Sequence, residues 1–572
     1  MRYTDYNGYL VAGTLKSDNA GFSKWGIAQK DGQDYFLKEF LSPVYPQNAS
    51  MYSPEQAEKR RKYCEKYEAQ KTLLYKTINE ASDGNDVRIV DFFRCESHYY
   101  IAMPCIPSEK LTPEDVAQMS SAGQAQQRLL CKTLAHSIWK LHKVGIVHGD
   151  LKWDNVLLQK SQSGGLTTKI IDFDNSFFEA EPPSDPESFN FDVVYLAPEG
   201  YLFAAGEDVK VGKPLDVFAL GVLFHQIFQG SVPEFVSGTK YNYLFEGLLS
   251  GDELKLGDAV PADMARLIAG MLETDPVRRY SLDTVVRLLS GEDIRPEQQA
   301  ENREATQNDR EAALRINIYK STKGAEKFKQ AGSLFLAQEE CNMMNFNFDY
   351  NVDMVFCIDA TGSMGGLIEK VKDNALNFYQ DVQRMMTNKQ KTIAQLRVRV
   401  IAFRDYAADG DDAMMVTDFF NLPEEEKDFE ETVRSIHAEG GGDIPEDGLE
   451  ALAYAIRSDW NNAGTKRRHV IVVWTDAPTH EMGFAKFLPN YPNGMPEDLR
   501  ELTQWWGDAA TQERGYMDQN AKRLVLFAPE AEYWSQIMDS WDNVAAYPAK
   551  AGEGLKEVDY QQILNMLANS IG

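Results

Sequence analysis

The residues with most chemistry in them stand at His148-Gly149-Asp150-Leu151-Lys152-Trp153-Asp154-Asn155 and at Ile171-Asp172-Phe173-Asp174. A short apolar run, Val156-Leu157-Leu158, follows the first segment, and Lys169-Ile170 leads into the second. This predicts a loop, a strand pair and a carboxylate at the end of the second strand. Phosphoryl transfer needs such groups. One carboxylate orients the attacking hydroxyl and accepts its proton, while a second carboxylate and an amide oxygen hold Mg²⁺ against the phosphates. Asp150 suits the first role. Asn155 and Asp172 suit the second, because Mg²⁺ takes hard oxygen donors. The plain alternative is a β-hairpin with polar ends.

A second constellation lies near the middle of the chain. In Ile358-Asp359-Ala360-Thr361-Gly362-Ser363-Met364, a buried-type strand ends and a helix opens. Asp359, Thr361 and Ser363 can present three oxygens on one loop at the carboxyl end of that strand, where open α/β sheets place ligands. Asp476, after Val472-Val473-Trp474-Thr475, ends another strand and adds a carboxylate. Asp443, in Gly440-Gly441-Gly442-Asp443-Ile444-Pro445-Glu446-Asp447, is a further candidate ligand or supporting group. Hydroxyl, water and carboxylate ligands suit Mg²⁺, with Mn²⁺ or Ca²⁺ as alternatives. The plain reading is a helix cap, with Thr361 and Ser363 simply closing the next helix.

These groups need several folding units to position them. At 572 residues the chain is too long for one core. Tyr9 to Phe40 alternates and carries Gly13, Gly21, Gly26 and Gly32, which predicts strands and tight turns. Helices are predicted over Ser53–Ile78, Gln124–His142, Asp216–Phe228 and Pro261–Leu272. Few strands followed by many helices predict a small sheet lobe and a larger helical lobe. Gly291 to Arg315 is polar and reads as a solvated helix or flexible linker, and Ala331 to Asn347 as an apolar lead-in. Beyond it, strands at Val352–Ile358, Val398–Phe403, Val470–Trp474 and Leu524–Phe527 alternate with helices at Leu367–Met386, Asp447–Arg457, Pro496–Trp506 and Tyr560–Ile571. That alternation predicts a mostly parallel sheet covered on both faces.

Composition excludes several function classes. A hydrophobic content of 43% is ordinary for a globular protein. A formal charge of −28 argues against binding to a phosphate backbone, which needs a basic face. The six cysteines form no C-x-x-C pair, so neither a zinc site nor a disulfide frame is expected. No signal-peptide pattern and no run of about 18 apolar residues occurs, so a cytoplasmic location is expected.

Residues 1 to about 290 resemble a protein kinase catalytic domain of the serine/threonine type. The resemblance is carried by the His148–Asn155 and Ile171–Asp174 segments, by Tyr195-Leu196-Ala197-Pro198-Glu199, by Asp216-Val217-Phe218-Ala219-Leu220-Gly221 and by Asp275-Pro276-Val277-Arg278-Arg279. It implies ATP and Mg²⁺ (or Mn²⁺) as cofactors. It implies that Lys38 holds the α- and β-phosphates and that Glu68, with Glu65 as its rival, is the partner of Lys38. Met103 would be the gatekeeper before Cys105 in the hinge, and Lys152 would steady the γ-phosphate. Gly21 is the clearest match in the glycine loop. Asp150 is then the catalytic base, and Arg278 or Arg279 supplies the partner of Glu199. Two departures stand out. His-Gly-Asp replaces His-Arg-Asp, which implies activity without phosphorylation of the activation segment. Asp-Phe-Asp replaces Asp-Phe-Gly. Both departures also resemble small-molecule kinases of the aminoglycoside or choline type, and a non-catalytic pseudokinase scaffold is the other rival. The segments after Tyr195 favour a protein substrate.

Residues from about 350 onward resemble a von Willebrand A domain with a metal-ion-dependent adhesion site. The resemblance implies that Asp359, Thr361, Ser363, Asp443 and Asp476 hold a divalent ion and that a protein partner or substrate completes it. The expected whole is a bilobal kinase-like α+β domain (1–290), a polar, partly helical linker (291–345) and a doubly wound, Rossmann-like α/β domain (346–572). The two halves are expected to fold separately. Some bacterial kinases resemble this pairing, so a bacterial type is implied. No nucleic-acid partner and no membrane span are expected.

Overall fold

The computed structural model describes residues 3–571 except 17–22, 48–50, 83–86, 107–114, 116–118, 161–165, 187–190, 293–306, 322–349, 375–376, 389–391, 441–444, 464–465, 509, 512–514, 551 and 553–559. The chain forms two compact units. One comprises Met1–Lys71, Val90–Cys105 and Asn347–Gly572; the other comprises Thr72–Ile89 and Ile106–Phe346.

The first unit contains two sheets. Strands β1 (Tyr3–Tyr6), β2 (Tyr9–Ala12), β3 (Lys24–Lys30), β4 (Gln33–Phe40), β5 (Asp91–Cys95) and β6 (His98–Pro104) form an antiparallel sheet in the order β1-β2-β3-β4-β6-β5. Its alternation buries Tyr9, Val11, Ala28, Leu37, Tyr100 and Ala102 on one face. Helix α1 (Pro54–Ala81) begins where the sequence predicts, with its proline in the first turn. Ala57, Arg60 and Cys64 are buried at three- to four-residue spacing in its first half, and Leu74, Tyr75 and Ile78 are buried in its last turns, which belong to the second unit.

In the second unit, helices dominate. They are α2 (Gln124–Lys143), α3 (Pro198–Ala204), α4 (Pro214–Gln229), α5 (Leu244–Leu249), α6 (Ala262–Met271), α7 (Leu282–Leu289) and α8 (Gln307–Ser321). Short strand pairs join them: β7 (Ile146–Val147) with β10 (Phe177–Phe178), β8 (Val156–Lys160) with β9 (Leu166–Ile170), and β11 (Glu234–Phe235) with β12 (Leu254–Lys255). Helix α4 is buried almost throughout, as its apolar run requires. The polar stretch after Gly291 is partly α8, and it is not wholly solvated: Asp309, Ala312, Ala313 and Ile316 are buried, and Arg315 pairs with Asp208 at 3.4 Å. The apolar lead-in at Ala331–Asn347 lies outside the described residues.

The other sheet of the first unit uses β13 (Tyr350–Asp359), β14 (Ile393–Phe403), β15 (Met414–Val416), β16 (Phe420–Leu422), β17 (Lys466–Trp474), β18 (Lys522–Pro529) and β19 (Val544–Ala549). Its order is β15-β14-β13-β17-β18-β19, with β16 on β14. The five long strands pair in parallel, while β15 and β16 run antiparallel. Met354, Phe356 and Ile358 pack on one face and Val355 and Cys357 on the other, so the central strand reads as an unbroken apolar run. Helices α9 (Gly365–Asn374), α10 (Phe378–Asn388), α11 (Glu426–Ser435), α12 (Gly448–Ile456), α13 (Leu499–Trp506), α14 (Glu532–Ser540) and α15 (Tyr560–Ile571) accompany it. In place of the single helix expected over Leu367–Met386, the described residues there form α9, ending at Asn374, and α10, beginning at Phe378.

Candidate functional site

In the second unit, the backbone of the loop before β8 is held from below by a buried carboxylate on α4. His148 N–H and Gly149 N–H donate to Asp216 Oδ2 and Oδ1 at 2.8 and 2.9 Å, and His142 Nε2 lies 2.9 Å from Oδ2. Gly149 has φ +82°, a left-handed geometry that glycine takes without strain. This is a local reason for glycine where the related pattern has arginine. His148 Nε2 lies 3.3 Å from Ile171 O, and the Ser176 hydroxyl donates to His148 O at 3.0 Å. The loop is therefore tied to the segment that carries Asp172.

Above this support, three predicted residues converge. Lys152 Nζ donates to Asp150 Oδ2 and Oδ1 at 2.9 and 3.1 Å. Asn155 Nδ2 donates to Asp150 O at 2.7 Å and to Asp150 Oδ2 at 3.1 Å. Both bonds use the amide nitrogen, which leaves the Asn155 oxygen to act as a cation ligand. Burial pushes the Lys152 ammonium towards neutrality, but Asp150 and Asp192 together outweigh it and hold Lys152 above its ordinary value. Asp172 sits at φ +61°, a conformation unusual outside glycine and tolerated best by Asp and Asn. A small cleft beside Asp150 is lined by Phe191, Asp192, Tyr195 and Leu196. Tyr195 OH and Trp153 Nε1 both donate to Gln226 Oε1, which anchors the cleft wall to α4. Glu199 and Arg279 form the expected buried pair at 2.5 and 3.0 Å, which selects Arg279 over Arg278.

The remaining predicted residues of this set lie in the first unit. Lys38 is half-buried on β4, paired in register with Ile101 of β6. Met103 stands opposite Phe36 near the end of β6, and Cys105 N–H donates to Asp34 O at 3.3 Å. Glu68 is exposed on α1, as is Glu65. Gly21 lies outside the described residues.

The second candidate site occupies the carboxyl ends of β13 and β17. Asp359 is fully buried. Its Oδ1 accepts from the Thr361 hydroxyl and from Thr361 N–H, at 2.5 and 2.9 Å, and its Oδ2 accepts from the Thr475 hydroxyl at 2.7 Å. Ser363 Oγ donates to Asp476 Oδ1 at 2.8 Å, so residues 113 apart in sequence meet. Thr361 stands at the cap position of the following helical turn, but its hydroxyl makes no capping bond. The Thr361 hydroxyl is thus turned to Asp359 and not to the helix end. Asp443 lies outside the described residues.

Sequence reasoning missed the acids beneath this site. Asp405, Glu446, Asp447 and Glu450 are buried, with His480 Nε2 3.5 Å from Asp405 Oδ2. Burial pushes Asp359 up to about 6 and, reinforced by Asp359 and Asp405, pushes Glu446 up to about 9. Glu446 Oε2 and Asp447 Oδ1 make no hydrogen bond. Buried acids whose charged forms burial disfavours, with two oxygens lacking a hydrogen bond, are chemically compatible with a hard cation. Among the described residues no group of three or more His, Cys, Asp or Glu side chains is placed to hold a metal ion. The available signal was polar residues, Asp405 and Glu446-Asp447, directly abutting apolar elements.

Two family models match the chain. The family model described as a protein kinase domain matches residues 57–288, and that of a von Willebrand factor A domain matches residues 353–486. The chain thus carries a protein kinase domain of the serine/threonine type and a von Willebrand A-like domain. Among curated proteins it is similar to the serine/threonine-protein kinase PSK2 of Saccharomyces cerevisiae, at 30% identity over 211 residues, 36% of this chain and 18% of the relative. It is 29% identical over 207 residues to the serine/threonine-protein kinase zyg-8 of Caenorhabditis elegans, covering 34% of this chain and 24% of the relative. The hormonally up-regulated neu tumor-associated kinase of Mus musculus is 27% identical over 200 residues, covering 35% and 27%. The chain spans under a third of the length of each. Among the described residues no helix is long and apolar enough to cross a membrane.

Proposed function

We propose that the chain is an ATP-dependent serine/threonine protein kinase whose von Willebrand A module grips a protein partner or substrate through a divalent cation. The observation that carries the reading is Asp150, buttressed by Lys152 and Asn155 on a loop whose backbone is pinned to Asp216. Asp150 accepts the proton of the attacking hydroxyl, and Lys152 steadies the γ-phosphate. Asn155 and Asp172 would hold Mg²⁺, which neutralises phosphate charge when bound. Lys38, partnered by Glu68, holds the α- and β-phosphates; Met103 and Cys105 border the base, and Gly21 belongs to the covering loop. The functional division we propose is kinase at 1–290, linker at 291–345 and von Willebrand A module at 346–572. In the module, Asp359, Thr361, Ser363, Asp476 and Asp443 would hold the cation.

The test is incorporation of labelled γ-phosphate into serine or threonine of a protein acceptor, with Asp150→Asn alongside. Asp150→Asn should lose transfer and keep nucleotide binding. Normal turnover by Asp150→Asn would remove Asp150 from the base role. Transfer to aminoglycoside or choline but not to protein would assign the small-molecule class.

A further inference from the structure

Helix α1 is not a free element of the N-terminal sheet. Its Arg60, 2% exposed, reaches residues more than 440 positions later. Arg60 Nη1 pairs with Asp508 Oδ1 and Nη2 with Asp542 Oδ1, both at 2.8 Å, while Nε donates to Val44 O at 2.9 Å. Asp542 Oδ1 also accepts from Val44 N–H at 2.8 Å, and Asn543 N–H donates to Leu41 O at 3.1 Å. The Tyr52 hydroxyl donates to Ser540 O. Met51, Tyr52 and Ala57 belong to the same apolar cluster as Trp506, Trp541 and Val544. A guanidinium this buried is stable only with its carboxylates in place, so the contact is specific to this geometry.

One element joins that contact to the second candidate site. Helix α14 has nine residues, about 13 Å of rise. Near its start, fully buried Trp534 donates through Nε1 to Ala477 O at 3.2 Å, the residue after Asp476. The same indole covers Gly448, next to Asp447; a Cβ on Gly448 would fall 2.6 Å from Trp534 Cζ2. At its end come Ser540, which receives Tyr52, and then Asp542, which receives Arg60. A short rigid helix thus has one end on the cation-site loops and the other on α1. Eight residues past Arg60, α1 carries Glu68.

We propose that the von Willebrand A module is a built-in regulator of the kinase. Occupancy at Asp359 and Asp476 is transmitted through α14 to Arg60 and sets where α1 holds Glu68. Arg60 is then a positioning residue. The inference rests on the reading of Glu68 as the partner of Lys38. A module that captured partners at the end of a loose linker would not need such a contact. The contact instead makes the module's ligand a controller of phosphate transfer, with a free energy that both ends share.

The test uses the full chain without nucleotide. Hydrogen exchange of α1 residues 54–70 is followed as Mg²⁺ alone is added, in wild type, Asp476→Ala, Trp534→Phe and Tyr52→Phe. Tyr52→Phe removes one hydrogen bond and keeps its ring, so it should fold; Trp534→Phe removes the indole N–H and leaves a smaller aromatic ring at a fully buried position, so its fold is checked by its melting temperature. Wild-type exchange in α1 should change about fivefold or more. Asp476→Ala should abolish the response, and the two Phe variants should weaken it. An unresponsive wild type, or an equal response in Asp476→Ala, overturns the proposal. The phosphate-transfer rate is read in parallel. Transfer without an α1 response sinks the coupling and leaves the kinase reading standing; an α1 response without transfer does the reverse.

Discussion

At the scale of single residues, both candidate sites depend on carboxylates whose neighbours define their use. Asp150 is met by an ammonium and an amide and lines a small cleft. Asp359 is met by two hydroxyls and a backbone N–H in a fully buried place, where burial disfavours its charged form. Arg279 is the clearest structural residue. It spans Glu199, Pro214 O and Glu273 O. Arg279→Ala should leave Glu199 buried and unpaired, at about 3–5 kcal/mol. A thermal melt of the variant, several degrees below wild type, is the expected outcome; an unchanged melting temperature would contradict the burial of the pair.

At the scale of elements, α4 and the catalytic loop act as one piece. Asp216→Asn replaces an oxygen with an N–H donor that must face the backbone N–H of His148 or Gly149. Each mispaired buried group costs about 1–3 kcal/mol. The expected outcome is a lower kcat with a smaller change in KM for ATP, measured by steady-state phosphate transfer. Gly149 supplies the left-handed turn and leaves no arginine to receive a loop phosphate. Phosphatase-treated enzyme should therefore keep most of its initial rate. A collapse of rate, restored by autophosphorylation, would refute this. In α6, an added Cβ at Gly270 would fall 2.2 Å from the Tyr280 ring. Gly270→Ala should cost about 1–3 kcal/mol by overpacking, read as a lower denaturant midpoint at unchanged slope.

At the scale of the molecule, chain order and compactness diverge. The N-terminal sheet and the sheet that begins at Tyr350 belong to one unit, and Thr72–Ile89 with Ile106–Phe346 form the other. The polar linker therefore need not be the principal tie between the halves, because Arg60 and Tyr52 make direct bonds to the module. Partner capture by the full chain should require Mg²⁺ or Mn²⁺, be reversed by chelation and fall in Asp359→Ala. Capture that survives both chelator and Asp359→Ala would place the binding surface elsewhere on the module.

The sequence by itself determined the chemistry of local segments. Asp150 to Asn155 lie within one loop, and Asp359 to Ser363 within another, so spacing alone brings their oxygens together. Long apolar runs likewise announced β13, β14, β17, β18 and the buried α4, because burial on all sides leaves one composition. Three-residue strands such as β15 and β16 carry no readable period, and the Ala-rich edge strand β19 carries little. Only tertiary structure brought Thr475 to Asp359 and Asp476 to Ser363, since those partners arrive with another strand. Only tertiary structure joined Arg60 to Asp508 and Asp542. Nothing local to a charged helix distinguishes the one arginine that is buried from those that face water. That choice is made by which distant carboxylates the fold brings within hydrogen-bonding reach.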